Sequence, residues 1–376
     1  MASTPVAGTR VTRRTAVTLA AAASVTILIV LAGVSIVGGD RGPDSTAIGA
    51  SAGVVVAPRT DVFGQALPGD LPEARVAEAI ESCPAATVTV TDADALAREL
   101  DDASAGTVIW LEDGTYEGEF TIDVSGEAGR PIWLCGSQAA VLVGEGHVGG
   151  YGLHLDHVSH VRLHGFGVTR SQKGVMVDGG DRVVIELLTV HDIGDEAIHL
   201  RAHTQDSVVR GNSISDTGNR REKFGEGVYV GSAESNWCSV TSCLPDRSDR
   251  NLVEGNVIFD VTAEAVDVKE GTTGGTVRGN AFDGSSLTED GADSWVDIKG
   301  NAWRIVGNAG AHSSQDGFQV HQILDGWGRG NVFERNSARV VGPGFGFSIT
   351  PEQDNVVGCS NEVTEAQEGH SNVACR

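Results

Sequence analysis

Positive charge is scarce in this 376-residue chain: 27 Lys and Arg face 51 Asp and Glu. Three of the arginines, Arg10, Arg13 and Arg14, precede a run without any charge from Thr15 to Gly39. Beyond that run the chain has 24 basic against 51 acidic residues, a net charge of −27. Such a surface repels nucleic acid and anionic membranes, so neither is an expected partner. Aromatics are also few, at 5%, whereas 50 residues are glycine. With its β-branched content, this composition suits many short strands joined by tight turns. No Cys-x-x-Cys pair and no Cys/His ligand spacing occurs among the six cysteines, which argues for three disulfides instead of a metal site. Close spacing favours Cys238 with Cys243 and Cys359 with Cys375, leaving Cys83 with Cys135.

The uncharged run reads as a signal peptide or signal anchor over residues 1–39, which puts the remainder outside the cytoplasm, secreted or held at the outer face of the membrane. Residues 40–74 mix Gly, Ala, Pro, Ser and Asp without periodicity and read as a flexible linker. A single elongated, monomeric domain is expected over 75–376. Asp92 precedes Ala-Asp-Ala-Leu-Ala-Arg-Glu-Leu, whose Leu96 and Leu100 lie four apart, so a short capped helix is expected there.

From Tyr151 the sequence repeats. An apolar-x-apolar core recurs at Leu153/Leu155, Val175/Val177, Ile198/Leu200, Val228/Val230, Val266/Val268, Val296/Ile298, Phe318/Val320 and Phe347/Ile349, at intervals of 22 to 38 residues. Gly-Asn pairs come after most copies, at Gly211-Asn212, Gly255-Asn256, Gly279-Asn280, Gly307-Asn308 and Gly330-Asn331. Units of this kind bury their apolar face only against each other and coil into a solenoid of parallel strands about 4.8 Å apart. The expected fold is an all-β, right-handed parallel β-helix, closed at its N-terminal end by the short helix. Gly and Asn suit its left-handed corners, and stacked Asn side chains can bond along a ladder.

Stacked in register, the residues between the apolar pairs form an outward column, His154, Met176, His199, Tyr229, Asp267, Asp297, Gln319 and Ser348. The next outward position gives Asp156, Asp178, Arg201, Gly231, Lys269, Lys299, His321 and Thr350. The middle of both columns is rich in groups that bind metals or move protons, the distribution expected of a cleft across the side of the solenoid. The basic stretch Asn219-Arg220-Arg221-Glu222-Lys223 and the excursion from Ser232 to Arg250 are placed to form its wall.

The run Asp113-Gly-Thr-Tyr116, with Ala128-Gly-Arg-Pro-Ile132 behind it and the repeats after, resembles the pectate-lyase-like superfamily of β-helices. Within it the similarity is to the alginate lyase and chondroitinase B group. There a calcium-binding Glu precedes a catalytic-base Lys by five residues, the spacing of Glu264 and Lys269, and Lys299 occupies the place of a catalytic Arg one rung later. The group's second calcium-binding Glu would fall at Thr262, and Lys299 lacks the bidentate fork of an arginine. Aspartates on adjacent rungs hold calcium in pectate lyases, which makes Asp267 and Asp297 further ligand candidates.

The resemblance therefore implies a polysaccharide lyase acting on a uronic-acid polymer by β-elimination. Calcium would be held by Glu264, Asp267 and Asp297, Lys269 would take the proton, and Lys299 or His321 would assist the leaving group. His199, Arg201, Arg220, Arg221 and Tyr229 would bind the polymer. A nearby cation would make a neutral Lys269 accessible, whereas carboxylates alone would raise its pKa. Two other classes fit the same face: a glycoside hydrolase using Asp267 and Asp297, and a non-catalytic carbohydrate-binding solenoid at the cell surface.

Overall fold

A computed structural model describes residues 54–55, 71–288 and 291–376. The expected signal segment and most of the linker lie outside the described residues. Among the described residues no helix is long and apolar enough to cross a membrane. Three long sheets of eleven, ten and ten strands wind into a parallel β-helix, each coil passing through the first, second and third sheet in turn. The helix Ala93–Asp101 covers the N-terminal end; Asp92 caps it by accepting from Ala95 N (2.8 Å), and Leu96 and Leu100 are its buried face.

The third sheet has the anticipated register. Val228, Val266, Val296 and Phe318 follow one another as strand partners, and so do Tyr229, Asp267, Asp297 and Gln319. Alternation puts the first set in the solenoid core and the second on its outside. The core is aliphatic through the early coils and becomes aromatic toward the C-terminus, where Phe318 and Phe347 stack with centroids 5.1 Å apart.

At the corner from the first sheet to the second, Asn212, Asn256, Asn280, Asn308, Asn336 and Asn361 form a buried ladder, each side-chain amide donating to the next Oδ1 at 2.9–3.0 Å. Asn331, which the Gly-Asn spacing places in this series, stands at another corner. Its Oδ1 accepts from Trp303 N, and its own backbone N–H donates to Asn355 Oδ1. Asn336 takes the ladder position instead, behind Arg335, which adopts the left-handed φ of +54° that glycine holds elsewhere.

Residues 71–83 run back along this corner. Arg75 N donates to Gly279 O (2.6 Å), Ala77 N donates to Glu254 Oε1 (2.8 Å), and Ala74 is buried against Val257 and Ala281. A Cβ on Gly279 would lie 2.1 Å from Arg75 O, so the ladder glycine there makes room for the arm as well as for the turn. The disulfide Cys83–Cys135 pins the arm's end, while Cys238–Cys243 and Cys359–Cys375 close a loop and the C-terminus as expected.

Candidate active site

On the outside of the third sheet the charged residues form one connected network that is more buried than a solvent-lined face would be. Lys299 Nζ bonds Asp267 Oδ1 and Asp297 Oδ2, both at 2.7 Å, and stands 3.9 Å from Glu264. Lys269 pairs with the other oxygen of Asp267. Asp267 is 1% exposed and Lys299 7%, because each charge shields the next beneath the flanking loops. His321, half-buried at the far end, holds Asp297 Oδ2 through Nδ1 (3.0 Å), and that carboxylate raises its pKa.

The repeat also carries a third column, two residues before each inner apolar position. Glu196, Glu226 and Glu264 stack there, as the bonds from Ala197 N to Glu226 O and from Gly227 N to Glu264 O require. Strand alternation does not mark Glu226, although Glu196-Ala-Ile, Glu226-Gly-Val and Glu264-Ala-Val state one pattern three times. Its carboxylate converges with those of Glu264 and Asp267, one oxygen from each lying within 4.8 Å of the others. Asp297 stands outside that trio and is engaged by Lys299 and His321.

These residues fit a hard cation. Glu226 Oε2 is buried without a hydrogen-bond partner. Burial, with the neighbouring carboxylates, pushes the Glu226 pKa well up and that of Glu264 to about 8. Once Glu226 and Glu264 give up their protons, the four carboxylates Glu226, Glu264, Asp267 and Asp297, set against Lys269 and Lys299, leave two negative charges, the complement of one divalent ion.

Beside the network opens a cavity of about 310 Å³. His199, Arg201, Arg220, Arg221 and Tyr229 all line it, with Lys173, Glu196, Phe224 and Glu226; Ser232, Ser239 and Val240 form the wall contributed by the long excursion. Several of these groups are already committed. Arg201 grips Asp178 (Nε to Oδ1 2.6 Å), and Arg220 Nε donates to Asp195 Oδ1 (2.9 Å). His199 Nε2 donates to Gly231 O (2.9 Å) while Nδ1 faces Glu196 Oε1 (3.0 Å), so neither ring nitrogen is free for a substrate.

Tyr229 differs. The His199 ring packs edge-on against it at 4.4 Å and Lys269 Nζ lies 4.9 Å from its centroid, yet its hydroxyl makes no hydrogen bond among the described residues. Burial and the Asp267 charge raise its pKa well above the usual phenol value. For Lys269, burial pulls the pKa down, but the charge and hydrogen bond of Asp267 outweigh it and hold the ammonium form. The condition for a neutral lysine is therefore not met by these side chains alone. The chain contains only four lysines, and all of them, Lys173, Lys223, Lys269 and Lys299, belong to this region.

Residues 147–295 match the family model described as right handed beta helix region. The crystal structure of an alginate lyase from Paenibacillus sp. str. FPU-7 superposes with a TM-score of 0.69 at 31% identity, covering 77% of this chain and all of that one. A rhamnogalacturonan lyase (TM-score 0.55, 14% identity, 77% of this chain and 85% of that one) shares the fold. So does the enzymatically active domain of bacteriophage CBA120 tailspike protein 2 (TM-score 0.53, 10% identity, 84% and 46%). Among curated proteins none matches the chain in sequence. Fold and relatives support a polysaccharide-lyase-type β-helix enzyme. The chain belongs to the family of the Paenibacillus alginate lyase, within the pectate-lyase-like superfamily.

Proposed function

We propose that this protein is an exported polysaccharide lyase that cleaves a uronic-acid polymer, alginate or a close relative, by β-elimination where Tyr229 meets Lys269. One observation carries the reading: a phenol with no hydrogen bond of its own lines the cavity beside an ammonium on the neighbouring rung, directly over a carboxylate cluster. Its context is similarity, over 77% of this chain, to an enzyme named for alginate. Three disulfides suit a protein that works outside the cytoplasm.

In such a reaction the proton α to the sugar carboxylate leaves, its electron pair forms a carbon–carbon double bond, and the glycosidic oxygen departs with a new proton. Tyr229 takes the first proton as the phenolate, its own proton having gone to solvent; burial and Asp267 disfavour that form, so it requires positive charge at the carboxylate cluster beside it. Lys269, kept as ammonium by Asp267, gives the second to the leaving oxygen. The two groups approach from one side of the sugar, which a syn elimination requires. Lys299 positions Asp267 and Asp297, and the Lys173–Glu196–His199 chain holds the Tyr229 ring from behind. Calcium held by Glu226, Glu264 and Asp267 would supply positive charge for the substrate carboxylate.

The hydrolase alternative loses support from geometry. Asp267 and Asp297 are both bonded to Lys299 and almost fully buried, so they do not flank a sugar linkage. The deciding experiment incubates the protein with alginate, pectate and chondroitin, with and without calcium, and follows ultraviolet absorbance of the unsaturated sugar. Absorbance should rise on a uronate polymer and fall with chelator. New reducing ends without absorbance would select a hydrolase, and neither signal a binding protein.

A further inference from the structure

The loop at residues 218–225 carries three cations, and they are not equivalent. Arg220 is neutralised by Asp195. Arg221 and Lys223 are exposed and have no carboxylate partner among the described residues; both lie over the ring of Phe224, at 5.6 and 4.8 Å from its centroid. Phe224 in turn lines the cavity. In a chain where acidic residues outnumber basic ones nearly two to one, and where Lys173, Lys269, Lys299, Arg201 and Arg220 are all paired, two free cations on one ring are exceptional.

The loop that presents them is fixed. Thr262 Oγ1 donates to Glu222 O (2.7 Å), Thr217 Oγ1 donates to Gly225 O (2.6 Å), and Phe224 N donates to Arg221 O (3.0 Å). A Cβ on Gly218 or Gly225 would lie 1.8 or 2.1 Å from Thr262 Oγ1, so both positions must be glycine for Thr262 to reach the loop. Thr262 is where the resemblance to the alginate lyase and chondroitinase B group would put a second calcium-binding glutamate. Here its hydroxyl ties down the cationic loop.

Two cations held over one aromatic ring repel each other, and an anion between them removes that repulsion while the ring edge offers an apolar surface to a sugar. We propose that Arg221, Phe224 and Lys223 form a clip that reads a free carboxylate on a sugar of the bound polymer, selecting un-esterified polyuronates over esterified ones. The inference rests on the polysaccharide reading above. It adds a second carboxylate requirement, away from the sugar that reacts beside Lys269. Esterification removes the charge at nearly constant sugar shape on every sugar, the reacting one included, so the clip's share is read from the double variant against wild type on each polymer.

The test compares wild type, the Arg221→Ala/Lys223→Ala double variant and Phe224→Leu, on a free-carboxylate polyuronate and its methyl-esterified form, at low and high salt. Rates are measured together with retardation in gels containing each polymer. The double variant should raise KM for the free polymer about tenfold at low salt with little change in kcat. That defect should shrink at high salt, where exposed charges are screened, and the double variant's preference over the ester should be smaller than that of wild type. Phe224→Leu keeps both charges and should show a smaller, salt-independent rise. An unchanged KM, an equal loss on both polymers, or a loss indifferent to salt overturns the clip. If wild type cleaves nothing, the lyase reading falls, and gel retardation decides the clip alone. Retention by the charged polymer only, abolished in the double variant, supports it; equal retention on both polymers refutes it.

Discussion

Two columns of side chains run along the same solenoid, one residue to each coil, and they solve opposite problems. At the asparagine corner, six identical neutral amides stack so that each donor meets an acceptor on the next rung. On the third sheet, His199, Tyr229, Asp267 and Asp297 follow one another, all but the last two different, with buried oxygens of Glu196, Glu226 and Asp297 left without partners. Repetition satisfies hydrogen bonds and builds the fold, whereas its abandonment at one face leaves unmet electrostatic demand for a ligand to satisfy. A substitution in one column should therefore separate stability from activity in the opposite sense to a substitution in the other.

The sharpest separation is expected at Tyr229. Tyr229→Phe removes a hydroxyl that bonds nothing among the described residues, so the melting temperature should stay put while kcat falls about 10²- to 10⁴-fold. Lys269→Ala should lose activity on the same scale, since Asp267 keeps Lys299 as a partner. Lys299→Met would break the contrast from within the charged column: stripping the shared cation from two buried aspartates should cost about 3–5 kcal/mol in a denaturant titration. Asn280→Ala, in the middle of the ladder, leaves several buried groups unpaired and should cost about 2–3 kcal/mol, with activity per folded molecule retained.

A further effect comes from pH. Glu264 has a folded pKa of about 8 against an unfolded value of about 4.3, so between those limits the folded state holds a proton that the unfolded chain has released. Its contribution is complete at the acid end of that window and is lost as pH rises through 8. Glu226 acts in the same direction. Melting curves in chelator should therefore shift down from pH 5.5 to 8.5, with calcium narrowing the gap. A gap indifferent to calcium would separate these carboxylates from metal binding.

The fold was legible because an apolar-x-apolar core has only one way to stack, and the register of Asp267 on Asp297 comes with it. The three disulfide pairings were legible from spacing. Asn336 escaped because Arg335 stands where the other ladder positions have glycine, and sequence does not announce an arginine at positive φ. Glu226 escaped for another reason: it belongs to a column just outside the strands, where no alternation marks it. The protonation of Lys269 could not be read at all, since it depends on whether a carboxylate or a cation is its nearest neighbour, and the fold supplies Asp267.

Elimination at the Tyr229–Lys269 junction is tested most directly by the mass of the products formed in heavy-oxygen water. Elimination takes no oxygen from solvent, so the new ends should be unsaturated, unlabelled and lighter by one water than hydrolytic ends, with Tyr229→Phe producing almost none. Saturated products carrying the heavy oxygen, made as readily by Tyr229→Phe as by wild type, would contradict it.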